Sequence, residues 1–240
     1  MNMVSSDNNG KCREGAAAVS HPCGEEQGAR ADNGRVCILS SAYFGPVQWY
    51  QKLNRYECVI EQHDHFVKQT YRNRCVIATA NGLQSLSIPV EKFEGSKCEM
   101  KDVRISDHAN WRHLHWNALL SSYGESPFFE YYQDDIRPFF EKKWDYLLDF
   151  NTAIMEKMCE LLDVRPKYSF STEFIPIADE ASEYPYSDFR EAIHPKKPLQ
   201  DADFHPKTYY QVYRHKYPFQ PNLSILDLLF NEGNEAILYL

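Results

Sequence analysis

Positive charge is in short supply in this sequence. Lys and Arg number 26 against 34 Asp and Glu over 240 residues, a net charge of −8. That argues against a general nucleic-acid binder, which carries a basic face, and leaves only local basic patches. Long apolar runs are missing as well. No stretch approaches the roughly 18 apolar residues of a spanning helix, so no membrane span is expected. Ala16-Ala17-Ala18-Val19 is too short for the apolar region of a signal peptide and follows no basic cluster. A soluble, cytoplasmic protein is expected. The cysteines, at 12, 23, 37, 58, 75, 98 and 159, show no Cys-x-x-Cys or other metal spacing. Cys58, Cys75 and Cys159 sit inside apolar patterns and read as buried thiols of a reducing compartment. There is no Gly-rich phosphate loop, no Gly-x-Ser-x-Gly elbow, no His-Glu-x-x-His and no internal repeat. The best-known phosphate-binding, esterase and zinc-protease signatures are therefore absent.

What is present is a globular body. Hydrophobic residues make up 43% of the chain, so a domain of ordinary size can bury a full core without staples. Residues 1–35 are rich in Gly, Asn, Ser and Glu and contain no aromatic residue. They cannot bury enough surface to order themselves and are expected to be a disordered tail. Residues 36–240 are read as a single α/β domain. It has a mixed sheet of short strands in its N-terminal half, packed helices over about 107–163 and a C-terminal helix.

The stretch Glu57–Lys92 organises the N-terminal half. Three apolar, β-branched runs (Cys58-Val59-Ile60, Cys75-Val76-Ile77 and Leu86–Val90) read as strands. Asn81-Gly82 between the last two supplies the positive φ of a tight hairpin. Upstream, Val36–Leu39 is a strand, Ser40–Pro46 a turn and Pro46 the start of a helix. Strand, turn, helix, strand is an α/β opening. Ligands of open α/β sheets lie beyond the carboxyl ends of the strands. Ser40, Ser41 and Tyr43 stand there, beside the polar insert at 61–74 if the first two strands are neighbours. Asp102–Ile105 alternates like a strand, and Ser106 or Asp107 is placed to cap the next helix. On that helix Trp111, Leu114, His115, Ala118, Leu119 and Ser122 share one face. Pro127 and Pro138 open two more helices. The second of these carries a stripe from Phe140 through Trp144 and Asn151 to Leu161. Asn151 either ties this helix to a loop or lines a pocket. Residues 163–221 are proline-rich, with Tyr168–Phe174 a candidate strand, Ala178–Lys207 a surface flap and Tyr209–Tyr213 strand-like. Asn222 or Ser224 caps a final helix, Asp227 favours its positive end and Gly233 stops it.

The polar insert supplies the site candidates. Lys68, Arg72 and Arg74 suit a phosphate or carboxylate, with 72 and 74 on one face if they lie on a strand. A solvated rim of surface ion pairs is the alternative. His63 and His65 share a face if their strand continues. With Asp64 or Glu61 they suit zinc or iron, but a bare His-x-His is a weak signal and no metal is assigned. Acid–base work by His63 is the other use. His115 interrupts an apolar face and is either a hydrogen-bonded core residue or a catalyst. Cys75, beside Val76 and Ile77, reads as a core thiol rather than a nucleophile.

These motifs, in order, resemble the WbqC-like family of bacterial proteins. The resemblance is carried by AYFGPVQWYQKL, by Lys68 with Asn73-Arg74, by the hairpin ending Ile-Pro-Val, by Trp111-Arg112-x-x-His115 with its Ser-Tyr, and by the final Asn-Leu-Ser-Ile-x-Asp-x-Leu-Phe-Asn-x-Gly. Ser40-Ser41 stands where Gln-Pro or His-Pro is usual in the family. The resemblance implies a setting in surface-polysaccharide (O-antigen) synthesis and, more weakly, transfer of an acyl or aminoacyl group to a sugar precursor. On that reading His115 or His63 is the base. Lys68, Tyr71, Arg72, Asn73, Arg74, Ser40, Tyr43, Trp111 and Arg112 bind a nucleotide-sugar or other anionic substrate. A non-catalytic scaffold of the same pathway is the second reading and a metallohydrolase the third. The sequence names no cofactor and no oligomeric state.

Overall fold

In a computed structural model of the protein, residues 36–177 and 186–240 are described. The expectation for 1–35 falls outside them, as does the part of the expected flap at 178–185. The elements are β1 (Val36–Ser40), α1 (Val47–Arg55), β2 (Glu57–Glu61), β3 (Arg74–Thr79), β4 (Gly82–Ser87), α2 (Trp111–Tyr123), α3 (Phe129–Ile136), α4 (Pro138–Glu141), α5 (Leu147–Leu161), β5 (Lys167–Phe170), β6 (Tyr186–Asp188) and α6 (Ile225–Glu232). The class is α/β, in a single domain.

Four strands form one sheet in the order β5-β2-β1-β6, and every neighbouring pair is parallel. Parallel sheets are covered on both faces, which is why Cys37-Ile38-Leu39 is a continuous buried run. Cys37 lies opposite Cys58 and Ile38 opposite Asp188. The sheet is thus drawn from both halves of the chain, with its outer strands supplied by the proline-rich region. The hairpin β3-β4 stands apart as a second, antiparallel sheet.

The hairpin forms where Asn-Gly placed it, shifted by one residue. Thr79 pairs with Gly82, so Ala80 and Asn81 are the loop, and the positive φ falls on Gly82 (104°). Asp102–Ile105 is not a strand. Met100–Asp102 is a 3₁₀ turn, and Arg104 and Ile105 make single bridges to different partners, Tyr146 and Val90. Those partners also explain why α4 and α5 are not one helix. Between them the chain carries Asp145 O to Ile105 N and Leu147 N to Val103 O, at 2.9 Å each. Backbone groups that a helix would pair within itself are satisfied across to 103–105 instead. Leu114 is 58% exposed, off the buried face that Trp111, His115, Leu119 and Ser122 do share. Neither Ser106 nor Asp107 caps α2; its N-cap is Asn110, which makes no side-chain cap. Residues 209–213 pair with no strand, although Tyr209 and Gln211 are buried.

The C-terminal helix follows its sequence signals. Ser224 caps α6 by accepting from Leu226 N, and Gly233 ends it with φ 56°. A Cβ at Gly233 would meet the Phe128 ring at 2.7 Å, so both backbone and space require glycine there. Asp227, expected at the helix's positive end, turns into the core. It accepts from Tyr123 Oη (2.9 Å), Tyr209 Oη (2.7 Å) and Gln211 Nε2 (3.0 Å).

Candidate functional site

At the carboxyl edge of the parallel sheet lies a cavity of about 230 Å³. The end of β1 supplies Ser40 and Ser41, the polar insert supplies Thr70, Tyr71 and Arg72, and the segment after β6 supplies Arg190, Glu191 and His194. Neighbouring parallel strands bring these together. Ser40 Oγ reaches Asp64 Oδ2 at 3.4 Å and Tyr43 N donates to Tyr71 O at 2.9 Å. Asn151, the polar member of the α5 stripe, donates to Ser41 Oγ (2.9 Å) and Arg72 O (2.8 Å). It is therefore a tie between helix and loops, fixing both walls of the cavity.

The charges beneath the cavity are built in pairs. Arg72 Nη2 bonds Asp64 Oδ2, with both side chains about one-tenth exposed. Arg72 Nε and Asp64 Oδ1 are closed off from water and have no partner. Arg190 forks onto Asp188, donates to Ile175 O at 2.7 Å and lies 3.7 Å from Glu61. Glu61, fully buried at the end of β2, accepts from Ser171 Oγ, Ile175 N and His63 N. Burial holds the His194 ring below its ordinary pKa, against the opposing charge of Glu191 and with help from Arg72. His194 Nδ1 accepts from the backbone N–H of Lys196 (3.0 Å) and Lys197 (3.1 Å). A neutral ring so held carries its proton on Nε2. Burial also raises the Tyr71 phenol to about 12.

The remaining sequence candidates divide between other places. Residues 72 and 74 do not share a face, because the chain turns at Tyr71–Asn73 before β3 begins. Arg74, Lys68 and Asn73 line a separate groove on the hairpin side of the insert. His63 Nδ1 lies 3.1 Å from Glu99, whose carboxyl is lowered chiefly by Lys101 and then by His63. The strand does not continue through His63 and His65. Among the described residues no three His, Cys, Asp or Glu side chains converge as metal donors. His115 is a core residue, with Nδ1 2.9 Å from Tyr43 Oη and its ring packed on Trp111 and Phe140. Burial lowers its pKa to about 4. It lines neither the cavity nor the groove. Tyr43, fully buried, stands behind the cavity wall. Trp111 donates Nε1 to Ser106 O, while Arg112 pairs with Asp107 and stacks on the Trp111 ring. Burial lifts the Cys75 thiol, which is fully enclosed as a core residue.

In the sequence Asp64 stands out only as a metal ligand, not as the partner of Arg72, while Glu191 and His194 are not singled out at all. The last two lie in a segment without periodicity, and its position as a flap was the only available signal. No helix among the described residues is long and apolar enough to cross a membrane.

The sequence matches the WbqC-like protein family over residues 41–239. It is similar to an uncharacterized protein, Rv1507c, of Mycobacterium tuberculosis (strain ATCC 25618 / H37Rv). The two are 26% identical over 227 residues, which is 86% of this chain and 97% of that protein. No solved structure matches.

Proposed function

The chain belongs to the WbqC-like protein family, and we propose that it is a transferase passing an acyl or aminoacyl group to a sugar precursor of bacterial surface polysaccharide. One observation carries this reading. Hydroxyls (Ser40, Ser41, Tyr71), a guanidinium (Arg72), a carboxylate (Glu191) and an imidazole (His194) converge on one cavity at the carboxyl edge of a parallel sheet. The acceptor's amine or hydroxyl bonds to the donor's carbonyl carbon, the donor's leaving group departs, and the acceptor's proton passes to Glu191. His194 Nε2–H donates to the carbonyl oxygen as charge develops on it. Arg72, anchored by Asp64, takes the anionic part of a substrate. His115 acts at a distance, and His63, paired with Glu99, has no part in the transfer. His115 holds Tyr43, whose backbone N–H fixes Tyr71.

Incubation with a panel of nucleotide-linked amino sugars and acyl or aminoacyl donors, read as mass gain, tests this. Transfer that is lost in Glu191→Gln supports it; no transfer and no donor binding contradicts it. The second reading is a non-catalytic binding module, favoured by the engagement of His194 Nδ1, which withdraws that nitrogen as a base. It gives ligand binding without transfer.

A further inference from the structure

The insert 66–74 has a second side. Below the hairpin lies a groove of about 490 Å³ lined by Phe66, Lys68, Asn73, Arg74, Lys92 and Phe93. Lys68 and Lys92 are exposed and have no ion-pair partner among the described residues. Arg74 uses only Nε, donated to Ser87 Oγ at 3.0 Å. The one carboxylate in the lining, Glu91, is drawn 3.5 Å from Arg104. Three cations thus face one groove without local neutralisation in a chain whose net charge is −8. They include one planar fork and two point charges, the complement of a phosphate. A fourth cation, Lys196, reaches across to Gln69 at the rim. Asn73 donates Nδ2 to Ile88 O at 2.8 Å, and its Oδ1 is left without a donor. That oxygen is closed off from water, so Asn73 holds the groove wall to the backbone and offers nothing to a ligand. Phe66 and Phe93 add apolar surface.

We propose that this groove binds a phosphorylated, hydroxyl-bearing small molecule of the sugar-phosphate class. Its phosphate sits among Lys68, Arg74 and Lys92, and its sugar lies against the partly exposed Phe93. The groove lies across the insert from the sheet-edge cavity, so this is a second site, and its occupant is not a reactant in the transfer proposed above. Binding itself needs no turnover, so the two fail separately.

Calorimetric titration of the full chain with glucose 1-phosphate and with inorganic phosphate tests the assignment. Both are expected to bind, the sugar phosphate more tightly, and both more weakly as salt is raised. Arg74→Gln and Lys92→Gln each weaken both probes at least about tenfold. Phe93→Ala brings glucose 1-phosphate down towards phosphate. His194→Ala, across the insert, changes neither. Arg74 and Lys92 are surface groups, so their variants keep the wild-type melting temperature. Absence of binding, or affinity unmoved by Arg74→Gln and Lys92→Gln, overturns the proposal. So does a loss in His194→Ala equal to that in Arg74→Gln, which would put the ligand in the sheet-edge cavity.

Discussion

At the scale of single residues, the arginines of one short run have opposite duties. Arg72 is buried against Asp64, while Arg74 meets only a surface serine. Arg72→Ala leaves a buried carboxylate alone and is expected to cost roughly 3–5 kcal/mol. Arg74→Ala is expected to stay within about 0.5 kcal/mol. Urea denaturation of the two variants compares them directly. Two buried titrating groups give a second prediction. His115 is lowered from 6.5 to about 4, so its contribution is present above pH 6.5 and is lost as pH falls through 4. Asp227 runs the other way. Burial, outweighing three donated hydrogen bonds, raises it from 3.8 to about 6, so the fold is favoured below 3.8 and that advantage is lost as pH rises through 6. Each amounts to about 3 kcal/mol. Relative to wild type, His115→Gln is expected to lose stability more steeply as pH rises from 4 to 6. Asp227→Asn is expected to lose it more steeply as pH falls over the same range. Denaturation midpoints at four pH values measure both slopes.

At the scale of elements, the segment after β6 is held down from beneath. Lys52, fully buried on α1, lies 2.8 Å from Asp201 and 4.3 Å from the Phe189 ring centre. Phe189 also lines the cavity. Lys52→Met alone strands Asp201 and is expected to cost about 3–5 kcal/mol, with proteolytic cuts appearing at 189–207. The double replacement Lys52→Met, Asp201→Leu is expected to recover most of that loss, because an apolar pair bears no desolvation penalty. Elements with local signals were legible in the sequence. The Asn-Gly hairpin, the capped and glycine-stopped α6 and the β1-α1-β2 opening all follow from residues within a few positions of one another. Elements set by distant partners were not. Asp102–Ile105 alternates like a strand yet meets two different neighbours, and the stripe through Trp144 is cut because Asp145 and Leu147 bond to another segment. Tyr168–Phe174 reads as a strand and β5 lies there, but nothing local marks it or Tyr186–Asp188 as the outer strands of a sheet begun at Val36.

At the scale of the whole molecule, the polar insert is a wall between two concave surfaces. Its last residues face first the sheet edge (Tyr71, Arg72) and then, past the turn, the hairpin groove (Asn73, Arg74). The sequence located this wall and put Ser40 and Ser41 beside it, since parallel neighbours bring the ends of β1 and β2 together. It grouped Lys68, Arg72 and Arg74 because the turn at Tyr71–Asn73, which parts them, leaves no mark in periodicity. It favoured His115 because a histidine on an apolar face is conspicuous, but that conspicuousness reflects burial beside Tyr43. Val67 lines the cavity and is half exposed, so a tryptophan there can fill the cavity from its rim without entering the core. The most direct measurement is transfer by Val67→Trp against wild type, over the same panel of donors and acceptors, with melting temperature as control. Loss of transfer at an unchanged melting temperature is expected. Full transfer by this plugged variant contradicts the assignment of the reaction to the sheet-edge cavity.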